Sequence, residues 1–127
     1  MSGINRTSIE GYEEFCKSIE GIQKQKQQIY VLFSGSKDTS GHSWCPDCVK
    51  AMPVVENALK AASDLHFVYV EVGDRAYWKN QNCPFRTDKR LQLKSVPTLM
   101  KWGHVEKLEN DECSNPDLVS MLFENED

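Results

Sequence analysis

The chain has 127 residues, of which 39% are hydrophobic and 27% charged, and this balance is typical of one soluble globular domain, here residues 1–127. The net charge of −4 and the scattered Lys and Arg residues argue against a nucleic-acid-binding surface, and no apolar run approaches the ~20 residues needed to span a bilayer. Five cysteines, an odd count, follow a polar first segment without a secretory signal, which predicts a reducing compartment and a cytosolic protein.

The first half of the chain is predicted to form a helix, a strand and a second helix. Residues 7–10 resemble a capping box, so we expect the first helix to begin there, with its apolar face running to Ile22. Residues 29–33 predict a strand, and the turn-rich residues 34–43 predict a loop after it. Apolar residues at three- and four-residue intervals then predict the second helix: Val49, Met52, Val55, Leu59 and Ala62.

The next part of the chain is predicted to return to the sheet and then leave it. Residues 66–72 alternate little between apolar and polar, as expected for a strand that is covered on both faces. Residues 73–84 have no periodic pattern, and a short helix is expected from about residue 85 to 91. A strand, a crossover helix and a second strand favour a parallel pair.

A hairpin and a closing helix complete the predicted fold. Strands over residues 98–102 and 105–109 flank Gly103-His104, which predicts a two-residue hairpin turn. Asn115-Pro116 supplies a cap and a first-turn proline for the last helix. The order of elements predicts an α/β protein with a mixed sheet covered by helices.

Two thiols that lie two residues apart form the most informative feature of the chain. Cys45 and Cys48 stand between the first predicted strand and the second helix, a placement typical of a redox-active pair. Exposed amides and the dipole at a helix start lower the pKa of a thiol from ~8.5 to as little as ~3.5–7.5. We therefore predict Cys45 as the nucleophile and Cys48, one turn inside the helix, as the resolving thiol.

Other interpretations of this segment have to be weighed beside the redox one. A structural zinc site needs about four ligands, and the sequence has no second Cys-x-x-Cys. Asp47 is either a proton-transfer or pKa-tuning group or only a helix-start carboxylate, and its charge alone would raise the pKa of a neighbouring thiol. Trp44 is expected to be both a platform beside the dithiol and a packing residue.

The three remaining cysteines are given mainly structural interpretations. Cys16 lies on the apolar face of the first predicted helix and is expected to be a small core residue. Cys83 and Cys113 fall in loop-like segments, where they are either incidental thiols or sites of accessory oxidation.

The dithiol and a second motif together resemble a known superfamily. Trp44-Cys45-x-x-Cys48 followed by Val96-Pro97-Thr98 resembles the thioredoxin superfamily. The resemblance narrows to the small cytosolic thioredoxin-related proteins, the thioredoxin-domain-containing protein 17 group, through the loop at residues 33–38, Cys-Pro-Asp-Cys, Val72-Gly73 and Tyr77-Trp78-Lys79.

The resemblance implies a fold and a substrate-binding edge. The fold is the thioredoxin fold, a mixed central β-sheet flanked by helices on both faces. Pro97 is expected to be cis and to lie against the dithiol, so that Trp44, Val96 and Pro97 form the substrate-binding residues, with the Val96 backbone pairing with substrate. Two positions depart from thioredoxin, because Leu32 replaces a buried aspartate and Tyr69 a lysine.

The resemblance also implies an activity and partners. It implies a disulfide reductase whose Cys45–Cys48 pair is recycled by thioredoxin reductase with electrons from NADPH; the chain itself has no Gly-rich dinucleotide motif, so no cofactor is expected to be bound. Implied substrates are cystine, peptide disulfides, nitrosothiols and persulfides, and a dynein light chain is an implied partner. A monomer is the default expectation.

Three rival functions remain open at the level of sequence. A redox-regulated binding module of the same fold would capture a partner through the dithiol without turnover. A peroxidase is less favoured because its Pro-x-x-x-Thr/Ser-x-x-Cys pattern is absent. A glutathione-driven glutaredoxin is less favoured because Trp44 precedes a Cys-Pro-Asp-Cys site.

Overall fold

The computed structural model describes residues 3–124, so the domain predicted over residues 1–127 extends beyond them at both ends. Its strands are β1 (Ile4–Glu10), β2 (Gln28–Ser34), β3 (Leu65–Glu71), β4 (Thr98–Lys101) and β5 (Lys107–Glu109). Its helices are α1 (Tyr12–Gln23), α2 (Pro46–Leu59), α3 (Arg75–Lys79), α4 (Pro84–Thr87) and α5 (Pro116–Phe123), with a 3₁₀-helix over Asn110–Ser114. None of these helices has the length and apolar character that crossing a membrane requires.

The strands form one mixed sheet in the order β1-β3-β2-β4-β5. β3 pairs in parallel with both β1 and β2, whereas β4 is antiparallel to β2 and β5 is antiparallel to β4. The parallel pair joined through α2 and the antiparallel pair that follows confirm the predicted order of these elements. β3 is an interior strand between β1 and β2 and is largely buried, as its unalternating sequence predicts.

The sheet separates two hydrophobic cores, because successive residues of a strand point to opposite faces. Tyr30 and Leu32 of β2 pack with α2 and α5. Val31 and Phe33 pack on the other face with α1, where Phe15 meets Phe33 edge-on at a centroid distance of 5.5 Å. Helices therefore cover both faces of the mixed sheet, as expected.

The first element is a strand, and the predicted helix start at residues 7–10 is wrong. These residues belong to β1, in which Thr7 lies opposite Val68 and its hydroxyl hydrogen-bonds to Nε2 of His66 at 2.7 Å. Pairing with β1 satisfies the backbone N–H and C=O groups along one edge of β3, and a local capping box would leave those groups without partners. The helix begins only after Gly11, whose φ of 92° turns the chain and whose carbonyl accepts the Phe15 amide.

The second half differs from the prediction in two places. The segment predicted as irregular contains α3, which Asp74 caps by accepting the Tyr77 amide, and the following helix, α4, ends at Thr87, earlier than predicted. The hairpin connection is longer than two residues, because β4 ends at Lys101 and β5 begins at Lys107.

The closing helix is confirmed together with its cap. The Asn115 side chain accepts hydrogen bonds from the amides of Asp117 and Leu118, and Pro116 occupies the first turn of α5.

Candidate redox site

The chain leaves β2 in the sheet and enters α2 through the dithiol. Cys45 is the N-cap residue of α2, and Pro46 occupies the first turn, where a missing N–H costs no hydrogen bond. The backbone amide of Cys48 donates to the Cys45 sulfur at 3.4 Å. Negative charge on this sulfur would therefore be stabilised by an amide and by the positive end of a helix.

The two cysteines differ in what they face rather than in how much surface they expose. Cys45 is 6% exposed and Cys48 is 4% exposed, so the exposed fraction does not separate the predicted nucleophile from the predicted resolving thiol. Cys45 lines an open cleft of about 490 Å³. Cys48 lines a different cavity of about 350 Å³, which shares no lining residue with the cleft. These are called the front cleft and the rear cavity below.

The Val96-Pro97 turn lies against the dithiol, and the peptide bond between these two residues is cis. The Cys45 thiol donates to the Val96 carbonyl at 3.5 Å, and Val96 lines the front cleft. The Thr98 hydroxyl holds the turn by donating to the Ser95 carbonyl at 2.7 Å. The structure thus places Val96 and Pro97 beside Cys45, as the resemblance to the thioredoxin superfamily implied.

Trp44 forms one wall of the front cleft and is held in place by two glycines. Its indole N–H donates to the Gly73 carbonyl at 2.9 Å. The ring lies so close to Gly35 that a Cβ there would be 2.7 Å from an indole carbon. Sequence reasoning missed the role of Gly35, because it reads as one glycine in a turn-rich loop.

Cys48 is held as a neutral thiol. Burial, and secondarily its hydrogen bond with Cys45, raise the pKa of Cys48 to about 12, against the opposite effects of the Ser34 hydroxyl and the Gly35 amide. That amide donates to the Cys48 sulfur at 3.4 Å. A proton must therefore leave Cys48 whenever it attacks another sulfur.

The position of the buried acid of thioredoxin is apolar here. Leu32 is 1% exposed and packs in the core with α2. Ser34 and Tyr69 line the rear cavity with Cys48, and burial raises the pKa of Tyr69 against a smaller opposing effect of the Ser34 hydroxyl. Asp47 is half-buried in the first turn of α2 and lines neither space within residues 3–124, so its proposed proton-transfer role stays a prediction.

The remaining cysteines lie away from the front cleft. Cys113 is fully buried, where its thiol donates to the Leu108 carbonyl at 3.4 Å and burial raises its pKa to about 12. Cys83 is 2% exposed and precedes α4, and Cys16 is half-buried beside Arg90. Within residues 3–124, no three His, Cys, Asp or Glu side chains are grouped to hold a metal ion.

The front cleft contains basic residues that the sequence analysis did not single out. Arg75, Lys79, Arg86 and Lys94 line it together with Trp78. Trp78 itself is 5% exposed, so most of its surface is packed. The signal that could have found this group is the series of basic residues between the second parallel strand and Val96, of which only Arg75 and Lys79 fall in the segment predicted as irregular.

Comparison with solved structures identifies the fold. Thioredoxin O1 from Arabidopsis thaliana superposes with a TM-score of 0.58 over 94% of this chain and 99% of that chain, at 19% identity. A thioredoxin from Schistosoma mansoni gives a TM-score of 0.57. The structure therefore has the thioredoxin fold.

Comparison of sequences identifies the family. The model of the family described as "Thioredoxin domain-containing protein 17-like, thioredoxin domain" matches residues 8–125. Thioredoxin domain-containing protein 17 is 46% identical in Danio rerio and 45% in Homo sapiens, in both cases over 97% of this chain and 98% of that protein. The thioredoxin-like protein Clot of Arabidopsis thaliana is 36% identical over 87% of each chain.

The chain belongs to the thioredoxin domain-containing protein 17-like family. This membership confirms the resemblance drawn from the dithiol and the Val-Pro-Thr turn, and it supports redox chemistry of the thioredoxin type.

Proposed function

We propose that the protein is a thiol–disulfide oxidoreductase that reduces small or restricted disulfides through Cys45 and Cys48. The observation that carries the proposal is the Cys45 sulfur at the start of α2, which accepts the Cys48 amide and lines an open cleft beside Val96. A sulfur in this position is stabilised as a thiolate and can be reached by a substrate disulfide.

The first step is attack by the Cys45 thiolate on one sulfur of the substrate disulfide. A bond forms between Cys45 and that sulfur, the substrate S–S bond breaks, and the other half leaves as a thiolate that takes a proton from water. Trp44 and Val96 line the cleft together with Cys45, and so they would flank the sulfur that Cys45 attacks. The Val96 backbone would pair with a peptide substrate.

The second step completes the transfer of two electrons from the dithiol to the substrate. Cys48 loses its proton and attacks the Cys45 sulfur, the mixed disulfide breaks, and the second substrate thiol leaves. The net change oxidises two protein thiols to one disulfide and reduces one substrate disulfide to two thiols. The high pKa of Cys48 makes removal of its proton the demanding part of this step.

Recycling requires another protein, and we propose thioredoxin reductase with NADPH as the source of electrons. Cystine and peptide disulfides are the proposed substrates, together with nitrosothiols and persulfides. Family membership also motivates a cytosolic location and a dynein light chain as a partner.

The test is NADPH oxidation with thioredoxin reductase and either cystine or insulin as the acceptor. Sustained turnover of cystine with slower reduction of insulin is expected, and Cys45→Ser should abolish both reactions. Equal rates with both acceptors would overturn the restricted substrate range. Stoichiometric reaction without cycling would overturn the enzyme and favour a binding module.

A further inference from the structure

The front cleft is basic in a chain that is acidic as a whole. Four of its eleven lining residues are Lys or Arg, whereas the entire chain has 15 of these residues among 127 and a net charge of −4. In the part of the chain that the structure describes, no Asp or Glu belongs to this lining. Positive charge is thus concentrated where Cys45 is reached.

Three separate segments bring these cations to one place. Arg75 and Lys79 stand four residues apart on α3 and therefore project from the same side of one turn. Arg86 comes from α4, and Lys94 precedes the Ser95-Val96 edge of the cleft. The charges surround one concave space instead of lying along a single solvated helix, which strengthens their combined field in the cleft.

Arg86 is the most rigidly held of the four. Its Nε donates to the Trp78 carbonyl at 2.7 Å, and its guanidinium carbon lies 4.0 Å from the centroid of the Trp78 ring. Within residues 3–124, its two terminal nitrogens have no hydrogen-bond partner. A guanidinium that is stacked and tied at Nε still offers the paired donors that bind a carboxylate in two places.

We propose that the front cleft selects small disulfides that carry carboxylates, with Arg86 as the anchor and Arg75, Lys79 and Lys94 as the surrounding field. The inference rests on the proposed disulfide reduction and specifies its substrate class. The cleft has the size of a small-molecule site. An anionic disulfide ordinarily repels an attacking thiolate, and these cations offset that repulsion during the first step.

The experiment uses three symmetric disulfides of similar length and different charge. They are 3,3′-dithiodipropionate with two negative charges, 2-hydroxyethyl disulfide with none, and cystamine with two positive charges. Each kcat/KM, measured with thioredoxin reductase and NADPH, is divided by the rate constant for the same disulfide with dithiothreitol. This division removes the intrinsic reactivity of each disulfide.

The anionic disulfide is expected to exceed the cationic one about tenfold in normalised kcat/KM at low salt, because a focused field changes association rates by at least this factor. The ratio should fall toward one in about 0.5 M salt, where exposed charges are screened over a few ångströms. Equal normalised values at low salt would overturn the inference while leaving disulfide reduction intact.

Variants identify the anchor. Arg86→Gln should lower kcat/KM about fivefold for the anionic disulfide and leave the neutral one within a factor of two, consistent with loss of a charge-assisted pair. Lys79→Gln should produce a smaller loss of the same kind, and Lys24→Gln, which removes an exposed charge at the end of α1, should produce none. Equal losses for the anionic and neutral disulfides would contradict the proposed recognition.

A second readout separates this inference from the proposed function. Iodoacetate and iodoacetamide alkylate the same sulfur but differ in charge, and peptide mapping reports Cys45 alone. Arg86→Gln should lower the iodoacetate-to-iodoacetamide rate ratio at Cys45, even if no disulfide is turned over. If no disulfide is turned over but this ratio still shifts, the proposed reductase activity is overturned and the anion-binding role of the front cleft is retained. An unchanged ratio would contradict anion recognition by Arg86 in the front cleft.

Discussion

The front cleft and the rear cavity each adjoin one cysteine of the dithiol, share no lining residue and differ in chemistry. The front cleft is lined by cations and by Trp44 and Trp78, next to Cys45. The rear cavity has an almost entirely apolar surface to which Met52, Pro53 and Tyr69 contribute, next to Cys48. The exposed fractions of the two cysteines are nearly equal, so exposure does not distinguish them. Their surroundings do.

The difference indicates how two identical side chains take different roles. The Cys45 sulfur accepts an amide at the start of α2 beside a basic space, which favours an anion. The Cys48 sulfur is one turn further along and is kept protonated by burial. Four predictions test this difference between the two cysteines and their surroundings, from the largest expected effect to the smallest.

Replacing each cysteine with serine should separate their roles. Cys45→Ser should lower disulfide turnover by about 10³-fold or more, or about 4 kcal/mol of transition-state stabilisation, because it removes the nucleophile. Cys48→Ser should accumulate a mixed disulfide with substrate on Cys45, detected by intact-protein mass spectrometry. A trapped adduct on Cys48 in Cys45→Ser would reverse the assignment, and multiple turnovers in Cys48→Ser would show that Cys48 is not the resolving thiol.

Gly35→Ala should disturb the Trp44 wall of the front cleft, and it also bears on Cys48, because the Gly35 amide donates to the Cys48 sulfur. The added Cβ would lie 2.7 Å from the Trp44 ring, so the indole must move, and we expect the free energy of unfolding to fall by about 1–3 kcal/mol. The displaced wall should also lower kcat/KM for a small disulfide.

Gly21→Ala is the matched control for this substitution. Nothing lies within 4 Å of its added Cβ inside α1, and the change should be neutral or stabilising by about 0.5–1 kcal/mol. Tryptophan fluorescence, denaturant unfolding and kcat/KM report the two variants together. Unchanged values for all three in Gly35→Ala would show that Trp44 is not held by this contact.

The high pKa of Cys48 should appear in the pH dependence of stability of the reduced protein. A thiol whose folded pKa is raised stabilises the fold below its unfolded pKa of about 9, and this contribution is lost as pH rises toward about 12. Between pH 8 and pH 10, wild type should lose about 1 kcal/mol more than Cys48→Ala, measured by urea unfolding under reducing conditions. Parallel pH curves for the two proteins would refute the raised pKa.

Tyr69→Phe should affect the second step more than the first. The change removes a hydroxyl from the rear cavity, which Tyr69 lines together with Ser34 and Cys48. We expect release of the second substrate thiol to slow about threefold. In free energy, this factor is somewhat less than the contribution of one hydrogen bond, about 1 kcal/mol. Single-turnover kinetics separate the two steps, and equal slowing of both would place Tyr69 outside the resolving reaction.

The dithiol segment could be predicted from sequence because its signals are local. Four local signals each favour the same local structure, namely a strand followed by a loop and a helix start. They are the strand pattern, the turn-rich loop, the two spaced thiols and the first-turn proline. The placement of Val96-Pro97 beside Cys45 came from resemblance, because nothing local in the sequence brings together residues that are 51 positions apart.

The features that the sequence did not predict depend on tertiary contacts. Residues 7–10 fit both a capping box and a strand, and pairing with β3 decides between them. The front cleft joins α3, α4 and the residues before Val96, so its charge becomes apparent only after folding. The Gly35–Trp44 contact is likewise invisible until the loop is closed.

Alkylation of the reduced protein measures whether the Cys45 and Cys48 sulfurs differ in reactivity. The protein is treated with iodoacetamide at neutral pH, and the rates at Cys45 and Cys48 are measured separately by peptide mapping. The account predicts that Cys45 reacts at least about tenfold faster than Cys48, because only the thiolate is the nucleophile. Equal rates, or faster modification of Cys48, would contradict it.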